Sequence, residues 1–218
     1  MIIIGAKGFA KEVLEVHHQL NQVNNIAFFD DINDDVVGFL FDNFPILKNV
    51  DEVLNHFKEF DNNFTIGIGN PVLRYIIYKK FKDLGGNFTS VLSPKAAIGF
   101  YGNKIKNGCN IMSNVIITSD VKIGKGVLIN LSCTIGHDTV IEDFVELCPS
   151  VNVSGNCTIG SFSFIGTNAV ILPNINIGKN VIIGAGSVVT KHIPDNAVAF
   201  GIPAKIVKDN KLLNFDYE

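Results

Sequence analysis

The stretch LINLSCTIGHDTVIEDF, residues 128–144, carries Ile129, Ile135 and Ile141 at intervals of six, with small or weakly polar side chains between them. An α-helix repeats its apolar face every 3.6 residues and a half-buried strand every two, so neither explains the interval. Stepping by six in both directions gives Ile105, Ile111, Ile117, Ile123, Ile129, Ile135, Ile141, Leu147, Val153, Ile159, Ile165, Ile171, Ile177, Ile183 and Val189, all aliphatic. A small residue often follows this rank, as in Ile123-Gly124, Ile159-Gly160 and Ile177-Gly178. A second small or apolar position falls four residues after most of the ranks, from Val115 to Val181.

A six-residue interval with an inward aliphatic rank fits a coil of three short flat sides. Glycine after the rank suits a corner where a Cβ would obstruct the turn. One coil takes 18 residues, so positions 18 apart stack at roughly 4.8 Å. Burial of the ranks alone does not offset the ordering of so much backbone, which predicts further contacts between copies of the chain. Cys109, Cys133 and Cys157 recur every 24 residues and Cys148 stands apart, with no CxxC pair. That spacing marks a repeat position and buried structural thiols rather than a disulfide plan or a metal site.

His137 and Asp138 interrupt the repeat as an adjacent base and acid. Imidazole titrates near neutral pH, as the removal of a proton from an amine or hydroxyl requires, and a neighbouring carboxylate stabilises its protonated form. Gly155 lies 18 residues on, one coil away on the same edge, where its N–H would suit a developing oxyanion. The competing reading makes His137 a solvated corner residue. The other histidines, His17, His18, His56 and His192, read as solvent-facing or partly packed, and one histidine within the repeat is too few for a zinc site of three nitrogen or sulfur ligands.

Residues 1–88 follow a different pattern. MIIIGAKGFAKEVLEVHHQL reads as a buried strand, a glycine turn from Gly5 to Gly8 and a helix; IAFFDD reads as a strand ending in Asp30-Asp31. A helix over DEVLNHFKEF, a strand at FTIGIGN and a helix opening at Pro71 follow. Alternation of strand and helix predicts a small Rossmann-like parallel sheet. A glycine turn entering a helix offers free N–H groups to phosphate, although the full GxGxxG fingerprint is missing.

This order of domains, from Gly5 to the closing GIPAK at Gly201–Lys205, resembles the NeuD/PglD-type sugar acyltransferases. These are hexapeptide-repeat enzymes that include sialic acid O-acetyltransferases and N-acetyltransferases of nucleotide-linked 4-amino sugars. The resemblance implies an α/β domain at 1–88 that binds the nucleotide-sugar, a left-handed parallel β-helix at 89–192 that acetylates it, and a tail at 193–218. It implies a homotrimer, with acetyl-CoA as co-substrate in the groove between prisms and no metal. By matching positions, His137 is the general base, Asp138 its helper and Gly155 the thioester-facing glycine, while Glu146, Thr167 and Ala185 approach acetyl-CoA. Gly5, Gly8, Phe9, Ala10, Lys11, Asp30, Asp31, Gly69, Asn70 and Arg74 match the nucleotide-sugar site, the acidic pair towards the base and the loop amides towards the diphosphate. Lys205 is placed to reach a coenzyme A phosphate or stands solvated. Some members carry histidine where this chain has Phe9 and Glu146, which leaves the acceptor's identity open.

The implied activity is acetyl-CoA-dependent acetylation of the 4-amino group of a nucleotide-linked amino-deoxy sugar, for bacterial surface glycan synthesis. The alternatives are O-acetylation of a sialic acid or related sugar, and a non-catalytic sugar-nucleotide-binding protein with the prism as scaffold. The 218 residues are 47% hydrophobic and 18% charged with a net charge of −3, a soluble composition that gives no support to a nucleic-acid binder. Apolar runs fall far short of the roughly 20 residues that cross a bilayer, and MIIIG lacks the basic leader of a signal peptide. The expected compartment is the cytoplasm.

Overall fold

The computed structural model describes residues 1–213; residues 214–218, the end of the expected tail, lie outside the described residues. The chain opens with β1 (Ile2–Ile4), α1 (Gly8–Gln19), β2 (Ala27–Phe29), β3 (Phe39–Leu40), β4 (Phe44–Leu47), α2 (Val50–Glu59), β5 (Asn63–Ile66), α3 (Pro71–Asp83) and β6 (Asn87–Phe88). Their sheet has the order β3-β4-β2-β1-β5-β6, parallel except for β3. The chain moves from β1 to β2 on one side and later returns to β5 on the other. The carboxyl ends of these strands therefore frame a topological switch point, where open α/β sheets bind ligands.

Pro71 opens α3, and Asn70 caps it by accepting from the Leu73 N–H at 3.0 Å. Asn49 does the same for α2 through the Glu52 N–H. In α1 the buried stripe is Ala10, Val13, Leu14 and His17, spaced i, i+3, i+4, i+7. His17, expected at most partly packed, is 3% exposed with both ring nitrogens unpartnered. Burial pushes its pKa down to about 4, so it sits in the core uncharged. His56 is buried as well, and its pKa is also lowered by burial.

From Val91 the chain winds a three-sided prism of two-residue strands in parallel register. Its first face carries Asn110–Ile111, Leu128–Ile129, Glu146–Leu147 and Phe164–Ile165; its second Ile116–Ile117, Thr134–Ile135 and Asn152–Val153; its third Lys104–Ile105, Lys122–Ile123 and Val140–Ile141. Strand partners are 18 residues apart, as in Ile117↔Ile135 and Ile123↔Ile141. The ranks and the positions four residues later form one core. Where the latter is polar, it is satisfied: Thr139 Oγ1 donates to the Ser154 carbonyl at 3.1 Å, and Ser163 Oγ to that of Gly178 at 2.8 Å.

Glycine after the rank serves close approach. A Cβ on Gly136 would stand 2.5 Å from the Gly155 nitrogen. The left-handed corner position comes three residues after the rank and falls on Asn114, Asp120, Ser132, Asp138, Ser150, Asn156 and, less expectedly, on Phe144 and Phe162. A bulky residue there is strained by about 1–2 kcal/mol. The two rings stack at 5.8 Å and both meet the edge of Tyr75 on α3, a packing that offsets this strain and fastens the helix to the prism.

The prism begins two sides before the first rank of the repeat, with Val91–Leu92 and Ala97–Ile98. Ile98 and Ile105 stand seven apart, not six, and that one-residue surplus hides these two sides from the period. At the other end, Ala197–Gly201 and Ala204–Asp209 form a hairpin that extends the first face, so much of the expected tail belongs to the sheet. All four cysteines are buried and free, and burial pushes Cys109 and Cys148 up to about 12 and Cys133 to about 11, far from thiolate chemistry.

The first domain sits on the first face. Arg74 of α3 is fully buried and donates from Nε to the Gly126 carbonyl at 3.1 Å, from Nη1 to those of Ile66 and Ile68, and from Nη2 to Asn110 Oδ1 at 2.7 Å. Asn110 in turn donates to Thr65 Oγ1 on β5. Gln19, at the end of α1, bonds Ser93 and Ser113 on the prism. One guanidinium thus ties strand, helix and prism together.

Candidate active site

His137 stands at the corner between the second and third faces, opposite the face that carries the first domain. Successive corners along this edge are joined by backbone bonds, Asp138 N–H to Ser119 carbonyl at 3.2 Å and Asn156 N–H to His137 carbonyl at 2.8 Å. The left-handed φ of Asp138, 58°, turns its carboxylate back on its neighbour, a conformation aspartate tolerates. Asp138 Oδ2 lies 2.7 Å from His137 Nδ1. With that nitrogen as the donor, Nε2 presents its lone pair outward. The imidazole is 60% exposed and lies across Gly155, where a Cβ would approach Cε1 and Nε2 to 2.7 Å. The Gly155 N–H donates to no group among the described residues.

A cavity of about 580 Å³ opens at the switch point of the first domain. Gly5, Gly8, Phe9, Asp30, Asp31 and Gly69 line it, together with Leu73, Ile76, Ile77 and Lys80 from α3. The N-terminus of α1 points here without a side-chain cap and without an acidic residue in its first turn, an arrangement that leaves its N–H groups and positive dipole end to an anion. Asp30 and Asp31 have different partners. Burial works to raise the pKa of Asp30, but hydrogen bonds from the amides of Asn33 and Ile32, the Asn33 side chain and the charge of Lys48 prevail and hold it low. Its oxygens are occupied in shaping the loop. Asp31 pairs instead with Lys80 at 2.8 Å, and that ammonium also rests over the Phe29 ring.

Four residues matched to the nucleotide-sugar site do not line the cavity. Ala10 is buried against Gly67, Asn70 caps α3, Lys11 lies over Phe41, and Arg74 spends its donors on the interdomain clamp. A guanidinium that is fully buried, with four of its five N–H groups bonded within the chain, does not reach the cavity. The stripe Leu73, Ile76, Ile77, Lys80 is a cavity wall absent from the sequence expectations; its spacing of three and four residues within α3 is the signal that marks it as one face.

Glu146 is neither solvent-facing nor on an open groove. It projects from the first face under the first domain, 7% exposed, against Gly69, with Oε2 unpartnered. Burial raises its pKa, opposed by the charge of Arg74. Thr167 and Ala185 do stack, since the Gly186 N–H donates to the Thr167 carbonyl at 2.8 Å. Their edge joins the first and second faces and is not the edge of His137. Lys205 is exposed on the closing hairpin. No group of three His, Cys, Asp or Glu side chains suited to a metal occurs among the described residues.

The PglD N-terminal domain family matches residues 1–81, and the bacterial transferase hexapeptide family, as six repeats, matches 156–191. WeeI from Acinetobacter baumannii is 32% identical over 94% of this chain and 98% of its own, with a TM-score of 0.85. The acetyltransferase domain of PglB from Neisseria gonorrhoeae, in complex with acetyl coenzyme A, is 30% identical over 94% and 98%, TM-score 0.86. This chain belongs to the NeuD/PglD-type sugar acyltransferases. It is therefore an acyltransferase, and the prism is the left-handed β-helix of that family. A histidine-to-asparagine mutant of perosamine N-acetyltransferase from Caulobacter crescentus, in complex with CoA and GDP-perosamine, is also similar: 27% identity over 95% of this chain and 96% of its own, TM-score 0.88. No curated protein matches the sequence. Among the described residues no helix of this acyltransferase is long and apolar enough to cross a membrane.

Proposed function

We propose that this acyltransferase moves an acetyl group from acetyl-CoA to the 4-amino group of a nucleotide-linked amino-deoxy sugar, in the cytoplasm, for bacterial surface glycan synthesis. The observation that carries the reading is the His137 imidazole, held by Asp138 at 2.7 Å and laid over Gly155 on an open edge of the prism. The amine nitrogen attacks the thioester carbonyl and gives up its proton to Nε2 of His137. The Gly155 N–H donates to the oxyanion of the tetrahedral intermediate. The C–S bond then breaks, and the thiolate of coenzyme A leaves with the proton held by His137. Asp138 steadies the imidazolium between the two transfers.

The nucleotide-linked sugar occupies the cavity of the first domain, with its diphosphate at the Gly5–Gly8 loop and the α1 N-terminus and its base towards Asp31. In one chain that cavity opens on the side of the first face, whereas His137 stands on the opposite corner. A side of six residues spans at most about 20 Å at 3.3 Å per residue, which puts the body of the prism, on the order of 15 Å, between them. The cavity of one copy therefore serves His137 of another, and Thr167 with Ala185 faces the same thioester from a third direction, across a groove between prisms of a homotrimer. Glu146, enclosed under its own first domain, has no place in that groove.

The sugar perosamine carried by a similar structure as its GDP derivative supports an amino sugar acceptor, as does the apolar α3 wall of the cavity. The experiment is a screen for thiol release from acetyl-CoA against UDP-, GDP- and dTDP-linked 4-amino sugars, with free and CMP-linked sialic acid as the competing acceptors. Turnover confined to the amino sugars supports the reading. Turnover with sialic acid alone, or with no acceptor, overturns it.

A further inference from the structure

The corner from Gly99 to Asn103 holds one residue more than its neighbours along the His137 edge, and the surplus throws Phe100 and Tyr101 outward. They are 92% and 75% exposed, and their rings meet edge to face at 5.4 Å. The projection is anchored. Asn103 Nδ2 donates to the carbonyls of Gly99 and Thr118 at 2.7 Å, its Oδ1 accepts from the Val121 N–H, and the Asp120 N–H holds the Tyr101 carbonyl at 3.0 Å. Tyr101 and Asp138 are thus separated by two coils, roughly 10 Å along one edge. Two exposed aromatic rings fixed in water this close to the reacting imidazole are a surface prepared for a partner.

Beside them on the third face, Lys104 and Lys122 are direct strand partners, and neither joins an ion pair among the described residues. Like charges opposite each other on a sheet destabilise it. An anionic partner relieves that repulsion.

The first domain carries the complementary surface. Residues 30–42, DDINDDVVGFLFD, contain five aspartates. Asp31 and Asp35 pair with Lys80 and Lys7 of the same chain and Asp30 is bound within its loop, which leaves Asp34 and Asp42 to a partner. Ile32, Val37, Phe39 and Phe41 are exposed there, Ile32 at 81%. Asp31 and Ile32 also line the cavity, so this segment is its rim. Within one chain the acidic, apolar rim and the basic, aromatic corner lie on opposite sides of the prism and cannot meet. Unlike patches that match across copies make a head-to-tail contact, which closes into a ring when the rotation allows.

We infer that the 30–42 rim of one copy docks on Phe100, Tyr101, Lys104 and Lys122 of the next copy. The contact rests on the proposed function in one respect: it brings the rim of a loaded cavity beside the edge of another copy's His137, at a distance comparable to the span of a sugar diphosphate. The aromatic pair and the lysine ladder then decide which face of the prism the sugar approaches. Neither touches the reacting atoms, so both are positioning groups.

The test is a cysteine pair, Phe39→Cys with Tyr101→Cys, joined by a bis-maleimide in the purified full chain; the native cysteines are all buried and leave the background low. Docking predicts covalent ladders up to the closed ring in the double variant and none in either single variant. A soluble double variant that stays uncrosslinked overturns the inference. A second measurement guards against misfolding: Lys104→Glu with Lys122→Glu lowers kcat/KM roughly tenfold or more through lost charge complementarity, and Asp34→Lys with Asp42→Lys in the same chain restores it to within about threefold. Loss without rescue, or no loss at all, counts against the contact. If the wild-type chain acetylates no nucleotide-linked sugar, the proposed function fails while the crosslink still decides the docking.

Discussion

Gly155→Ala separates the two jobs proposed for the coil beneath His137. The substitution keeps the backbone N–H, and Gly155 does not need a left-handed conformation, so the main chain accepts alanine. The new methyl group stands 2.7 Å from Cε1 and Nε2 of the imidazole. Ordinary contact begins near 3.4 Å, so the ring must retreat by about 0.7 Å or turn about its side-chain bonds. A misplacement of about 1 Å in a reacting group costs on the order of 10²-fold, and the expected fall in kcat is therefore about 10–100-fold. Stability should hardly change, because the ring is 60% exposed and free to move. Gly136→Ala is the contrast: its methyl group meets the backbone nitrogen of Gly155 at 2.5 Å, and the coil yields only at about 1–3 kcal/mol of overpacking. Thiol release gives the rate and thermal melting the stability. A Gly155→Ala enzyme that melts normally and turns over within threefold of wild type would refute the placement of the imidazole against this glycine during the reaction.

Other substitutions test the frame around the site. Arg74→Met leaves the carbonyls of Gly126, Ile66 and Ile68 and the Asn110 side chain without their donor, a loss of about 3–5 kcal/mol for a buried charged network; differential scanning should show the melting point fall by about 6–20 °C. His17 has its folded pKa lowered to about 4 from 6.5, so between these values the unfolded chain binds more protons and stability drops as the pH falls. The full effect is roughly 3 kcal/mol, complete below pH 4 and absent above pH 6.5. His17→Leu should flatten that slope in denaturant titrations from pH 4 to 7, and raise stability at neutral pH by removing two unpartnered ring nitrogens from the core. An unchanged slope would place the acid sensitivity elsewhere.

The prism was legible because its signal is arithmetic. Every rank from Ile105 to Val189 repeats one requirement, an aliphatic side chain at the inward position, and residues 18 apart must stack. That arithmetic alone put Gly155 beneath His137. It failed where the step changes, at Ile98 to Ile105, and there the surplus residue exposes Phe100 and Tyr101. The first domain was legible as alternating strands and helices, but the short β3–β4 hairpin carries too few residues to show a period. Side-chain direction was the harder part. Arg74 and Lys80 occupy the same helix, six residues apart, yet one is buried in the clamp and the other meets Asp31 at the cavity. His17 sat in plain view on the stripe with Ala10, Val13 and Leu14, and only its residue type argued for the surface. Glu146 was placed by resemblance at a groove, whereas the face it projects from is covered by the chain's own first domain.

The most direct measurement of the central claim is the rate of thiol release by His137→Ala, compared with wild type on the same nucleotide-linked 4-amino sugar, alongside the affinity of both for that sugar. Removal of a general base predicts turnover lower by roughly 10²–10⁴-fold with affinity little changed, since the cavity holds the nucleotide and diphosphate and the His137 of the neighbouring copy meets only the amine. Turnover near that of wild type would contradict the account.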